Sequence, residues 1–282
     1  MPEGDTIFRA AQALSKAIGG KRIRAARSPL PALTQGAESL AGHTVLAVEA
    51  HGKHLLIRFD DGRALHSHMR MTGSWHIYRP GEAWQKPVRA ARFVIETDDF
   101  VAVCFNAPVV DLVRTTPKGA AVEMERLGPD LLKDNFDQSE AARRLRARPE
   151  MPVGEAVLDQ SAIAGIGNIY KSETLFVCRV SPFAPVGSLP DETLAAIVAT
   201  ARELMSKNLG AGPRTTRFRT GLGGPGQGRA SRYWVYKRSG DPCLVCGSPI
   251  AMRRQGLAGR STYFCPRCQD APPARSAKSA VK

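Results

Sequence analysis

Four cysteines, Cys243-x2-Cys246 and Cys265-x2-Cys268 with 18 residues between the pairs, constrain this chain more than any other feature. Two tight turns that each offer two thiolates to one tetrahedral ion form a structural zinc site, and the simplest scaffold is a two-stranded hairpin ribbon. A pair of disulfides is the alternative, but the chain shows no sign of export. Acidic residues stand at Glu3 and Asp5, and no apolar stretch follows a basic one. The six histidines lie between His43 and His76, so none competes as a ligand beside the cysteines. Cys104 and Cys178 sit in apolar stretches and read as small buried hydrophobes.

Charge is concentrated in the same region. Residues 201–282 hold 16 Lys and Arg against 3 Asp and Glu, a net +13 of the whole chain's +14. A basic last third points to a polyanion, because each cation set on a phosphate releases condensed counterions. A basic tail serving only solubility is the plainer reading. No run of about 18 apolar residues occurs. The expectation is a cytoplasmic or nucleoid-associated protein without a membrane partner.

The 282 residues suffice for two domains and a small module. Asp5 to Ile18 has helical spacing, with Ile7, Phe8, Ala11, Leu14 and Ile18 on one side and Asp5 or Thr6 as the expected cap. From Arg22 to Met124 short alternating runs, such as His54 to Phe59 and Phe93 to Thr97, are divided by turn signals such as Asp60-Asp61-Gly62. Leu127-Gly128-Pro129-Asp130 reads as a junction. Helices are expected over Ser139–Arg146, Val153–Asp159, Tyr170–Cys178 and Pro190–Asn208. A mobile loop is expected from Gly212 to Ala230, the ribbon from Tyr233 to Gln269 and a disordered tail from Asp270. The expected fold class is α+β: an N-terminal helix with a β-sandwich (1–126), a helical domain (127–232), the zinc ribbon (233–270) and a basic tail (271–282).

Two further features carry chemistry. If Met1 is removed, the chain begins at Pro2, whose secondary α-amine belongs to a class with pKa roughly 7.7–8.0. Beside it stands Glu3. An amine and an acid together are the minimum equipment for forming an imine at a sugar or carbonyl carbon. The second feature is Gly165-Ile166-Gly167-Asn168, a tight turn before a helix. Its open N–H groups and the Asn168 side chain suit a phosphate, whereas the plainer reading is a connection packed tightly on a helix.

Six stretches together carry a resemblance: Pro2-Glu3-Gly4, Gly52-Lys53-His54-Leu55, Ser67-His68 with Met71 and Gly73, Leu127-Gly128-Pro129-Asp130, Gly165 to Tyr170, and the cysteine ribbon. In this order the chain resembles the formamidopyrimidine-DNA glycosylase and endonuclease VIII family from Pro2 to about Gln269. Pro2-Glu3-Gly4-Asp5 looks closest to the bacterial endonuclease VIII branch. The resemblance implies a helix-two-turns-helix domain before the ribbon, one structural zinc and no small-molecule cofactor. It also implies a monomer acting on double-stranded damaged DNA, with single-stranded DNA an open alternative.

The resemblance further implies roles. Pro2 matches the nucleophile that attacks C1′ and forms a Schiff base, leading to β,δ-elimination. Glu3 matches the acid that opens the sugar ring, a role suited to a buried carboxyl of raised pKa. Lys53 matches a lysine on the lesion phosphate. Asn168 and Arg260 match phosphate ligands, the guanidinium bidentate. Met71 matches the wedge that fills the place of the extruded nucleotide, and Arg70 is a candidate partner for the orphaned base. Three departures stand out. Thr6 occupies a common glutamate position, the ribbon loop is longer than usual, and Asn106 to Leu112 match neither main branch. The implied function is removal of oxidised pyrimidines with abasic-site lyase activity. The alternatives are an oxidised-purine glycosylase or a noncatalytic damaged-DNA binder on the same scaffold.

Overall fold

The computed structural model describes residues 2–115, 122–218 and 232–269, which fall into two compact units, Met1–Lys133 and Asp134–Lys282. The first unit begins with helix α1 (Gly4–Ile18), whose Ile7, Ala11, Leu14 and Ile18 are all buried. That i, i+4, i+7 spacing makes one apolar stripe, and each such side chain contributes about 1.5–3 kcal/mol on burial. The residue preceding the helix is Glu3, not Asp5 or Thr6 as expected; its side chain makes no cap, but its carbonyl accepts from the Thr6 and Ile7 N–H groups.

Next come β1 (Ala25–Arg27), the short helix α2 (Thr34–Glu38), and strands β2 (Val45–His51), β3 (His54–Phe59), β4 (Arg63–His68), β5 (Ser74–Tyr78), β6 (Ala91–Glu96), β7 (Val101–Phe105) and β8 (Val109–Arg114). They form two four-stranded antiparallel sheets, ordered β1-β6-β7-β5 and β2-β3-β4-β8. Period-2 alternation decides which residues face inward. Leu55, Ile57 and Phe59 of one sheet join Phe93, Ile95, Ala102 and Cys104 of the other, and α1 packs into the same core. The expected sandwich behind a helix is therefore present. His54, Leu56 and Arg58 fall on the opposite face of their sheet, where Leu56 packs with Ala64 and Met124.

The second unit contains α3 (Gln138–Arg146), α4 (Val153–Ala156), α5 (Asn168–Val177), α6 (Asp191–Ser206), the hairpin β9 (Ala251–Gln255) with β10 (Arg260–Phe264), and the terminal turn α7 (Pro266–Gln269). The four expected helices are all present. The second is shorter than expected, ending at Ala156, and the third begins earlier, at Asn168. The loop expected from Gly212 lies partly outside the described residues, and the tail from Asp270 wholly so. Among the described residues no helix is long and apolar enough to cross a membrane.

Helix α5 is buried from Asn168 to Phe176 because it packs on α6, α4, β10 and α7. Its most demanding residue is Glu173, which is fully buried. The carboxylate accepts from the N–H groups of Trp234, Val235 and Tyr236 at 2.8–2.9 Å and from the Thr216 hydroxyl. Burial pushes its pKa up while these four donors hold it down. The backbone entering the ribbon is thereby pinned to the helix. Glu173→Gln would turn an NH2 group toward these donors. It is expected to lower the thermal midpoint of the second unit by roughly 5–10 °C, the cost of a few charged hydrogen bonds, as read by calorimetry.

Candidate functional site

Pro2 is half-buried, and Glu3, between it and the first residue of α1, is completely buried. Asp5 in the first turn is buried too, and the Thr6 hydroxyl donates to its carboxylate at 3.4 Å. A half-exposed proline and a carboxyl out of water therefore sit on adjacent residues at the start of the helix.

Lys53 occupies the tip of the β2–β3 hairpin. Gly52 before it has φ of 57°, a left-handed conformation natural to glycine. The Gly52 N–H donates to Asp130 Oδ2 at 2.8 Å, and the other oxygen of Asp130 accepts from the Leu132 N–H at 2.9 Å. The Leu-Gly-Pro-Asp stretch thus clamps the turn that presents Lys53.

Around that turn the outer face of the sheet carries histidines. His51 pairs with His54 across β2 and β3, His54 with His68 across β3 and β4, and His66 with Asp111 across β4 and β8. His54 Nδ1 lies 2.8 Å from His66 Nε2, and the two rings stack at 15°. The His68 ring stands edge-on to His54 at 4.8 Å. The Arg70 N–H donates to His68 Nδ1, fixing that ring's proton on Nε2 when neutral. Burial first, then His68, His66, His51 and Lys53, push the pKa of His54 down to about 3. Burial, then Lys53, Arg70 and His66, bring His68 to about 4. Both rings are neutral at pH 7.

Met71 is 65% exposed on the turn after β4. Arg70 beside it has φ of 42°. A Cβ on Gly73 would lie 2.7 Å from Met69 Cα, so only glycine closes this turn and leaves Met71 outside.

In the second unit the Gly165–Asn168 turn builds the N-terminus of α5. Gly165 takes φ of 109°, and its N–H donates to Gln160 Oε1 at 3.1 Å. Asn168 differs from expectation. Its Nδ2 donates to the Ser261 carbonyl at 2.6 Å, so the amide holds the ribbon backbone next to Arg260. Asn168 Oδ1 is buried with no partner among the described residues, which leaves an acceptor where the sequence reading placed a phosphate donor. Lys171, also buried, donates to Ser261 O at 3.3 Å and to Thr262 Oγ1 at 2.7 Å. Arg260 opens β10 and is exposed.

The four cysteines meet as their spacing requires. Their sulfurs lie within 4.8 Å of one another, with Cys243–Cys268 at 3.9 Å and Cys246–Cys265 at 3.4 Å. Tetrahedral Zn–S bonds of about 2.3 Å set sulfurs roughly 3.8 Å apart, so the cage fits zinc. Burial and the neighbouring sulfurs push Cys268 up to about 12, a penalty that a divalent cation removes. Phe176, Val235 and Ile250 pack around the cage.

Residue-by-residue reading missed Lys171, Glu173, Asp130 and the histidine face. Asp130 and His68 stand inside the motifs that carry the resemblance, so the signal existed. The partners of Lys171 and Glu173 lie 43 to 91 residues away in sequence and leave no local trace.

Comparison with known proteins gives a consistent picture. Three family profiles match in succession: a formamidopyrimidine-DNA glycosylase N-terminal domain at residues 1–108, a formamidopyrimidine-DNA glycosylase H2TH domain at 127–220, and a zinc finger found in FPG and IleRS at 240–271. A probable endonuclease 8 2 of Streptomyces coelicolor is 41% identical, with 98% of this chain and 96% of that protein covered. The DNA-(apurinic or apyrimidinic site) lyase Nei2 of Mycolicibacterium smegmatis is 38% identical, over 96% and 100%. Among solved structures, the MutM (FPG) protein from Thermus thermophilus superposes with TM-score 0.74 at 30% identity, over 96% and 100%. Lactococcus lactis FPG (mutant G226P) in complex with Fapy-dG DNA gives TM-score 0.78 at 24% identity with the same coverage, a likeness of fold.

Two outcomes are expected. An unfolded histidine binds protons below its ordinary value of 6.5, whereas folded His54 and His68 wait until about 3 and 4. The unfolded chain therefore holds more protons in that window, and stability falls as pH drops from 6.5 toward 4. Urea titrations across this range should show the loss, and His54→Gln should make it shallower. Cys265→Ser should release zinc and disorder the ribbon while the first unit keeps its own melting transition, as read by metal analysis with calorimetry.

Proposed function

From the premise that the chain belongs to the formamidopyrimidine-DNA glycosylase and endonuclease VIII family, we propose that it excises oxidised pyrimidines from DNA and cleaves the resulting abasic site. The single observation that carries the reading is the placement of Pro2, half-buried and accessible, directly before the fully buried Glu3. The names of the endonuclease 8 relatives support the pyrimidine branch.

Once Met1 is removed, the Pro2 nitrogen attacks C1′ of the damaged nucleotide and the base leaves. Glu3 donates a proton to the ring oxygen, the sugar opens, and an iminium forms between Pro2 and C1′. The positive nitrogen draws electrons from the C1′–C2′ region. The C2′–H bond breaks, its electron pair moves into the conjugated system, and the 3′ phosphate departs. A second elimination expels the 5′ phosphate and leaves a one-nucleotide gap. Lys53, held by the Asp130 clamp, is the cation for a lesion phosphate. Arg260 is a bidentate phosphate ligand on the ribbon, with Asn168 and Lys171 positioning its strand. Met71 is the wedge into the base stack, and Arg70 is the candidate for the orphaned base.

The zinc shapes the ribbon and takes no part in the bond changes. The same reading covers the finer organisation, with a helical DNA-binding domain from 127 and a separate ribbon from 233. It also includes a cytoplasmic monomer working at the nucleoid on duplex DNA, with no small-molecule cofactor. The oxidised-purine reading is favoured by one observation, that relatives named formamidopyrimidine-DNA glycosylase are also 30–36% identical. A panel of single-lesion oligonucleotides, duplex and single-stranded, separates the two.

Borohydride added during incubation with abasic-site DNA should couple protein and DNA covalently. Pro2→Gly should lower that yield by about tenfold or more, and material retaining Met1 should give none, because its proline nitrogen is an amide. Full trapping by Met1-retaining protein removes Pro2 as the nucleophile. A noncatalytic binder traps nothing in any form.

A further inference from the structure

The histidine face beside Lys53 has no place in the steps above, yet its geometry is directional. Asp111 is 54% exposed and reaches solvent, with its Oδ2 at 3.7 Å from His66 Nδ1. His66 is 2% exposed, and its Nε2 lies 2.8 Å from His54 Nδ1. His54 follows Lys53 in the chain and meets the His68 ring at 4.8 Å. We propose that Asp111, His66 and His54 form a proton-exit line from the Lys53 end of the site to solvent.

Imidazole suits this task because it takes a proton at one nitrogen while releasing another from its second nitrogen. The inference rests on the lyase reading, in which breaking C2′–H releases a proton that must leave. His54 Nε2 receives it, directly or through one water. The His54 Nδ1–H bond then breaks as His66 Nε2–H forms. His66 Nδ1–H breaks in turn as the half-exposed Asp111 carboxylate, 3.7 Å away, swings to hydrogen-bond distance, takes the proton and passes it to bulk water. Each ring ends neutral with its tautomer exchanged, and reverse transfer after product release resets the pair. Other charged and titratable groups around the line are Lys53, Arg70, His51 and His68. Lys53 disfavours a proton resting on His54, so a proton taken up there is passed on and the ring returns to neutral. His51 Nε2, buried with no partner among the described residues, marks a further polar atom at the Lys53 end.

The line predicts a separation of steps that packing alone does not. His66→Gln keeps an acceptor for the His54 N–H but cannot relay. With abasic-site DNA it should trap on borohydride within about twofold of wild type, while strand cleavage slows roughly tenfold or more. The wild-type elimination should show a solvent deuterium effect with a curved proton inventory, and His66→Gln a linear one. His66→Ala with added imidazole should recover part of the cleavage rate. Asp111→Asn, on the surface and safe for folding, should slow cleavage a few-fold with trapping unchanged, and it decides the matter if the His66 variants misfold. Wild-type cleavage rates in both His66→Gln and Asp111→Asn overturn the line. A parallel fall of trapping and cleavage in His66→Gln, with a wild-type inventory, also overturns it in favour of packing. Failure of the wild-type protein to trap at all is a different result, since it removes the lyase reading itself.

Discussion

A carboxylate taken out of water must be met by donors, and the second unit is arranged around one that is. Glu173 has no solvent contact, and three successive backbone N–H groups and a hydroxyl fill its acceptor sites. The chain entering the ribbon can take only one path if those N–H groups are to be satisfied. That path places Val235 and Trp234 against Phe176, and the zinc cage closes on the same small core. Lys171, two residues before Glu173 on α5, repeats the device with opposite charge, donating to Ser261 and Thr262. Glu173 thus fixes the entry to the ribbon, and Lys171 the strand that carries Arg260. Such fixed charges contribute more to geometry than to net stability, because their desolvation offsets much of the attraction.

The first unit solves a related problem by other means. It sets a half-buried Pro2, a fully buried Glu3 and the hairpin-tip Lys53 in fixed places. A helix buried along one stripe supplies the first two on consecutive residues. The hairpin tip is held through the Gly52 N–H, which donates to the Asp130 carboxylate. The sheet's outer face beside it is polar but poor in water, and its packed imidazoles are neutral as a consequence. Neutral rings in hydrogen-bond contact are an arrangement of side chains that moves protons without building up charge.

How much of this is legible in advance follows from distance along the chain. Helix α1 is legible because its apolar stripe repeats within fifteen residues. The sandwich is legible because alternation shows strand by strand. The error at the helix start comes from assuming that a side chain caps, where the Glu3 carbonyl alone does so. The early start of α5 at Asn168 has a similar origin: the glycine turn ends one residue before it, and no side-chain cap marks the place. In sequence Asn168 reads as a ligand-facing donor, while the fold turns its amide to Ser261, 93 residues away. The histidines form a row in sequence, and there the row says only that they stand apart from the zinc site.

Sequence by itself determined the zinc ribbon, the adjacent Pro2 and Glu3, the basic last third and the family, because each is written in residue type and short spacing. Tertiary structure alone decided which acid is buried, where Met71 is exposed, what Asn168 and Lys171 hold, and that three histidines from two strands touch. The reason is physical. Residue type states what a group can donate, accept or ionise, whereas burial and partnership are set by strands and helices that meet only after the chain has folded.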